Sequence, residues 1–401
     1  MLFLVDQNKS FTYINLLDEV NKETFYYPYF RTDNIYSFFK NFIIALTRDL
    51  TIVLIDEDIK SSELSIDETL INQIKKIESV SFESIDSLID KVFNSNSDII
   101  IYTSGTTGQP KKVVHKLSSL ARSVRNGDSY NNQVWGFAYN PTHMAGTQVF
   151  LQALRNKNTL INIFKLTRKE IYDSIENFQI SHISATPTFY RLLLPFESEF
   201  SSVIRITFGG EKSDVKLHQT IASIFPNAKI NNIYASTEAG TIFATKGEYF
   251  YIPDYIKEKV IIKDNEILLH MSLLGKADNI KLDEDFYHTG DLIEWFNNDK
   301  TLFKFKGRKN ELINIGGYKV NPNEVEEALS TIPQINQSVV YGKSNSVLGT
   351  ILCADIVLNN QITEDELRME LSKILQNYKI PRRFKFVEKL ELTRTGKTKR
   401  L

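Results

Sequence analysis

Apolar positions along this chain follow two rhythms that take turns. Short β-branched or apolar runs occur at residues 51–55, 98–103, 159–163, 182–185 and 203–208. Between them lie longer segments whose apolar positions recur at the 3.6-residue period of a helix. This alternation predicts an α/β fold class, with α/β layers built on largely parallel sheets. Residues 57–97 read as a polar helical connection rather than a core element. No internal repeat or low-complexity tract is present. Around Gly307 the texture changes. Residues 320–329 start a helix with early acidic side chains, which suit the positive end of its dipole. Strands are expected at 337–341 and 350–357, then a helix at 364–376, which together make a small α+β unit. The boundary is placed at Arg308–Asn310, dividing a large N-terminal domain (1–308) from a small C-terminal one (309–401).

Length and composition narrow the class. The 401 residues suggest two or three domains at about 150 residues each. Hydrophobic residues make up 42% and charged residues 24%, enough for a large core under a solvated surface. A net charge of −1 gives no support for nucleic acid or an anionic membrane as main partner. The opening Met-Leu-Phe-Leu-Val is broken by Asp6, too early for a signal sequence, and no apolar run approaches the ~18 residues of a span. Cys353 is the single cysteine, so no internal disulfide can form. Its apolar surroundings predict a buried, inert thiol. A soluble cytoplasmic protein is expected.

Chemistry concentrates in five polar clusters. The first, Asp98-Ile-Ile-Ile-Tyr-Thr-Ser-Gly-Thr-Thr-Gly-Gln-Pro-Lys-Lys112, ends a strand-like run in three hydroxyls, two glycines and Lys111. Glycine permits positive φ, so successive N–H groups can turn toward one anion, and hydroxyls and an ammonium add donors. This is chemistry for a polyphosphate, without Walker spacing; the bland reading is a hairpin loop. The second, Asn232-Ile-Tyr-Ala-Ser-Thr-Glu-Ala-Gly240, sets a hydroxyl beside a carboxylate. Magnesium takes hard oxygens, usually one or two carboxylates plus substrate phosphate; a Thr-Glu pair also starts many helices. In Phe286-Tyr-His-Thr-Gly-Asp-Leu292 a carboxylate follows a glycine, suited to a ribose diol or to an Asx turn. The fourth, residues 305–317, carries Arg308 and the pair Gly316 and Gly317. The last, Leu392-Thr-Arg-Thr-Gly-Lys-Thr-Lys-Arg400, is a solvated basic tail or a loop presenting one lysine.

In order and wording these clusters resemble the adenylate-forming superfamily: acyl- and aryl-CoA synthetases, adenylation domains of peptide synthetases, and firefly-type luciferases. The resemblance covers about residues 98 to 400. It implies that Ser104, Gly105, Thr106, Thr107, Gly108 and Lys111 hold the β- and γ-phosphates of ATP. Thr237 would contact the α-phosphate and Glu238 the Mg2+ ion. Gly209, Gly210 and Glu211, with Asn232, Tyr234 and Ala235, would form the adenine wall, and Asp291 and Arg308 would hold the ribose. Lys397, on a mobile C-terminal domain, would bridge the substrate carboxylate and the α-phosphate, neutralising two anions that must approach each other. Rotation about Asn310 would then bring Gly316 and Gly317 to a thiol channel, where a side chain would block the pantetheine arm.

Three departures from the family pattern stand out. Lys112 and Ala235 replace glycines without removing a ligand, and Asn310 replaces the usual Asp or Lys of the hinge. Fewer residues than usual precede Ser104, so an abbreviated N-terminal subdomain is expected. The acyl pocket is assigned to residues 135–148, 182–190, 209–211 and 235–241. His143, in Asn140-Pro-Thr-His-Met-Ala-Gly146, sits where CoA synthetases place a histidine beside the carboxylate; a structural role is equally open. Peptide-synthetase domains usually carry Phe-Asp there, and Ile183-Ser-Ala-Thr-Pro-Thr-Phe-Tyr190 is similar to succinylbenzoate- and coumarate-type ligases. An aryl or medium acyl acid is therefore expected, passed to coenzyme A or to the phosphopantetheine of a carrier protein in trans. The competing non-enzyme reading, a degenerate nucleotide-binding protein, is opposed by Glu238, Asp291, Arg308 and Lys397.

Overall fold

The computed structural model describes residues 1–392 except 58, 60, 65, 104–109, 196–197, 212, 214, 278–279, 316–317 and 346–348. Two compact units emerge. The first comprises Met1–Ser213, Gln219–Thr245 and Met271–Lys281; the second comprises Asp214–His218, Lys246–His270 and Leu282–Leu401.

Two larger sheets carry the first unit. One runs, in spatial order, through Gly240–Lys246, Lys229–Ser236, Arg205–Phe208, His182–Ala185, Val134–Phe137, Thr159–Asn162, Leu2–Asp6 and Lys9–Thr12. Its six inner strands pair in parallel and its two outer pairings are antiparallel. The other sheet orders Tyr29–Phe30, Ile52–Leu54, Asp98–Thr103 and Lys111–Lys116, with only the last pairing antiparallel. The helix Ile35–Thr47 is apolar on nearly every face, as a helix enclosed by core must be. Asn34 caps it by accepting from the Ser37 N–H. Its Phe39 stacks on Phe150 at 4.1 Å and meets Phe137 edge-on at 5.4 Å. One continuous core takes in this helix together with Phe3 and Leu4 of the larger sheet and Ile52, Leu54, Ile99 and Ile101 of the smaller.

The α/β expectation holds, with one correction. The 57–97 segment is not merely a polar connection: its helix Ile85–Phe93 buries Leu88, Ile89 and Val92 in that core. Apolar residues at 85, 88, 89 and 92 share one helical face, a short stripe easily lost among polar neighbours. Leu2–Asp6 likewise joins the larger sheet beside Thr159–Asn162.

The second unit opens with an antiparallel sheet ordered Val260–Lys263, Glu266–His270, Phe286–Trp295, Leu302–Arg308 and Tyr249–Tyr251. Beyond Arg308 come the paired strands Ile313–Ile315 and Tyr318–Val320. A three-stranded sheet follows, of Ile335–Asn345, Gly349–Leu358 and Arg383–Phe386. Helices Pro322–Ser330 and Glu364–Ser372 pack on it through Val325, Leu329, Leu367 and Leu371. Proline at the first turn after Asn321, and the Thr363/Glu366 capping box, fix where these helices begin. The small α+β assembly expected after Gly307 is present. The boundary expected at 308/309 falls inside the second unit, since the antiparallel sheet groups with the C-terminal elements. No helix among the described residues is long and apolar enough to cross a membrane.

Candidate active site

Open parallel sheets present their C-terminal strand ends, with the loops that follow, as the usual place for a ligand. Arg205–Phe208 and Lys229–Ser236 are parallel neighbours, with Phe208 opposite Asn232. Residues 209–211 and 232–235 therefore lie side by side. Gly209 is closely surrounded: a Cβ there would fall 3.0 Å from Ile233 Cγ1 and 3.1 Å from the Tyr139 hydroxyl, so those side chains would have to give way. Gly210 takes a φ of +83°, a conformation costly for other residues. Glu211 accepts from the Thr188 N–H at 3.1 Å and the Thr188 hydroxyl at 2.8 Å, which fixes its carboxylate against the helix Pro187–Arg191. Asn232 accepts from the Ser213 hydroxyl at 2.8 Å, and Tyr234 stacks on Phe243.

Thr237 and Glu238 sit in the tight turn that joins Lys229–Ser236 to Gly240–Lys246. Ser236 pairs with Gly240, and Gly240 carries a φ of +67°, as a three-residue hairpin loop with a left-handed closing residue requires. The pair is thus a hairpin loop, not the helix start a Thr-Glu sequence so often marks. Among the described residues no group of three or more His, Cys, Asp or Glu side chains could hold a metal ion by itself. One half-buried carboxylate beside a hydroxyl instead fits an ion that arrives on a polyphosphate and keeps most of its ligands from it.

Lys111 opens the strand Lys111–Lys116, in register with Thr103 at the end of Asp98–Thr103. Ser104, Gly105, Thr106, Thr107 and Gly108, expected to cradle phosphates, lie outside the described residues. His143 precedes the helix Met144–Arg155, and its Nε2 stands 3.2 Å from Asp56 Oδ2, a carboxylate only 2% exposed. Asp56 was not singled out in the sequence. Its one signal is an acid that closes the apolar run Ile52-Val-Leu-Ile55.

In the second unit, Asp291 and Arg308 are cross-strand partners. Arg308 Nε donates to Asp291 Oδ1 at 2.8 Å, so the two residues assigned to a ribose also hold each other. Gly290, at φ +75°, marks an irregularity within the strand Phe286–Trp295, and the Asp291 N–H donates to the Thr289 hydroxyl. Glu266, which carries no motif in the sequence, organises this irregular stretch of strand. Its Oε1 accepts from the Gly290 N–H at 3.0 Å, while its Oε2 pairs with His288 at 3.2 Å and Lys309 at 3.3 Å. Burial alone would raise the Glu266 carboxyl; the His288, Gly290 and Lys309 bonds outweigh it and hold the group below its ordinary value. Asn310 lies in the single 3-10 turn Lys309–Glu311. Gly316, Gly317 and Lys397 lie outside the described residues. The first unit therefore assembles residues 209–211, 232–235 and 237–238, and the second assembles Asp291 with Arg308.

Comparison with known proteins gives the family. A family model described as AMP-binding enzyme matches residues 44–260, more than half of the chain, and the AMP-binding enzyme C-terminal domain model matches residues 324–397. The chain belongs to the AMP-binding enzyme family. Bacitracin synthase 1 of Bacillus licheniformis is 27% identical over 352 residues, which cover 77% of this chain but only 7% of that protein. The 2-succinylbenzoate–CoA ligase of Staphylococcus epidermidis is 27% identical over 337 residues, 75% of this chain and 68% of the ligase. Among solved structures, o-succinylbenzoate CoA synthetase from Bacillus subtilis, in complex with its acyl-adenylate intermediate, superposes with a TM-score of 0.74. It covers 99% of this chain and 94% of its own, at 18% identity, a likeness of AMP-binding enzyme fold.

Proposed function

We propose that this AMP-binding enzyme activates a carboxylic acid with ATP and passes the acyl group to a thiol. A carboxylate oxygen attacks the α-phosphorus, the bond to pyrophosphate breaks, and an acyl-adenylate forms. The thiol then attacks the acyl carbonyl, loses its proton and releases AMP. In the first step Thr237 contacts the α-phosphate. Glu238 would hold magnesium, which when bound spreads the charge of the phosphates. Residues 209–211 and 232–235 flank the adenine, and the Arg308–Asp291 pair presents its carboxylate to the ribose. Lys397 draws the two anions together. The C-terminal residues, divided from the rest at 308/309, then swing about Asn310, exchanging Lys397 for Gly316 and Gly317. The observation that carries this reading is the Thr237–Glu238 hairpin loop, set on the strand that borders Gly209, Gly210 and Glu211, in a chain of this family.

Coenzyme A is the favoured acceptor and an aryl or medium acyl acid the favoured substrate. The succinylbenzoate ligase relative and the His143 segment support both. The peptide synthetase relative supports the second reading, a phosphopantetheine carrier in trans. The test is carboxylate-dependent ATP–pyrophosphate exchange over a panel of acids, followed by thioester formation with coenzyme A against a carrier. Lys397→Ala is expected to lower exchange by roughly a hundredfold or more while sparing thioester formation from supplied adenylate. Gly317→Leu is expected to do the reverse. Equal losses in both half-reactions for either variant would contradict the swing, and no exchange with any acid would contradict the activity.

A further inference from the structure

The Thr237–Glu238 turn is held in an unusual way: three consecutive carbonyls each receive a donor from a different part of the first unit. His115 Nε2 lies 2.7 Å from the Thr237 oxygen. The Gly275 N–H donates to the Glu238 oxygen at 2.7 Å. Arg122 Nη1 donates to the Ala239 oxygen at 3.2 Å, while its Nη2 donates to the Leu273 oxygen at 2.9 Å. The donors are themselves tied together. Val114 and Lys276 exchange both backbone hydrogen bonds at 2.8 Å, joining the strand Lys111–Lys116 to the segment that carries Gly275. A hairpin loop on its own leaves such carbonyls to water, and its backbone wanders. Here each is bonded within the protein.

His115 and Gly275 fit as a pair. A Cβ on Gly275 would fall 2.5 Å from His115 Cε1 and 2.8 Å from Nδ1, so the imidazole occupies the space a side chain would need. His115 is 1% exposed, and a carbonyl can only accept, so Nε2 carries the proton. Its Nδ1 is buried with no hydrogen-bond partner among the described residues. Burial also depresses the imidazole's proton affinity.

We infer that His115, Gly275 and Arg122 form a clamp that sets the Thr237–Glu238 loop in the geometry required to receive magnesium-bound ATP. This rests on the adenylation reading and extends it to residues that touch neither nucleotide nor acid. They are positioning residues, acting through the loop backbone as outer partners orient metal ligands. The clamp also gives the strand that starts at Lys111 a mechanical tie to the turn bearing Glu238.

The test is calorimetric titration of the full chain with ATP, with and without magnesium, alongside thermal melts. Wild type is expected to bind ATP more tightly when magnesium is added. His115→Ala and Gly275→Ala should lose roughly tenfold or more of that gain, keeping their metal-free ATP affinity. His115→Gln, whose amide can still donate to Thr237, should restore most of it. Should His115→Ala not fold, Gly275→Ala and Arg122→Met take the same measurement. A wild-type gain that the variants keep in full overturns the clamp alone. So does a drop in ATP affinity equal with and without magnesium, the mark of general structural damage. A wild-type chain that binds no ATP overturns the adenylation reading, and the clamp with it.

Discussion

At the scale of single residues, burial decides which histidines can do what. His182 packs against Trp135 at 4.9 Å, and the Ser181 hydroxyl lies 2.9 Å from its Nδ1. Burial, helped by the Arg205 guanidinium, lowers its pKa from 6.5 to about 4. The unfolded chain binds a proton there below pH 6.5, and the folded chain does not until about pH 4. Stability is therefore whole above that window and falls as the pH drops through it. A loss on the order of 1–3 kcal/mol is expected from this residue alone. Urea titrations at several pH values should show it, and His182→Leu should flatten the slope; an unchanged slope would assign acid sensitivity elsewhere. The same scale marks what could be read without the fold. Ser104, Thr237, Glu238, Asp291 and Arg308 stood out because their neighbours in sequence make the motif. His115, Arg122, Asp56 and Glu266 did not, because what they hold lies far along the chain: the Thr237 carbonyl is 122 residues from His115.

At the scale of elements, periodicity located most strands and helices, and the exceptions have a physical origin. The strand expected at 337–341 runs Ile335–Asn345, because pairing with Gly349–Leu358 extends a ladder past its apolar centre. The helix Ile85–Phe93 was hidden by its polar exposed face, yet its inner face belongs to the central core. Leu88 is fully buried there, so Leu88→Ala should cost about 2–5 kcal/mol in denaturant melts. In the same segment Ile74 is 55% exposed, and Ile74→Ala should stay within about 0.5 kcal/mol. Equal small effects at both sites would return the segment to a mere connection. The antiparallel sheet of residues 249–308 had no counterpart in the sequence reading. Its strands mix buried, half-buried and exposed positions without a clean alternation, and Gly290 and Gly307 break the regular pattern inside strands, with conformations that only the fold reveals.

At the scale of the whole molecule, the fold and the family were legible because five short clusters keep their order across about 300 residues, while identity with the two relatives named above is only 27%. The identity of the acid was not legible, since the pocket proposed for it draws on four segments far apart in the sequence. The proposed chemistry has a signature independent of that choice. If the carboxylate itself attacks the α-phosphorus, one of its oxygens must leave with AMP when the thiol displaces it. The deciding measurement is turnover of an acid labelled with heavy oxygen in both carboxylate positions, read by mass spectrometry of the products. One labelled oxygen in AMP and none in pyrophosphate is the predicted result. Label in inorganic phosphate, or unlabelled AMP beside a formed thioester, would contradict an adenylate intermediate.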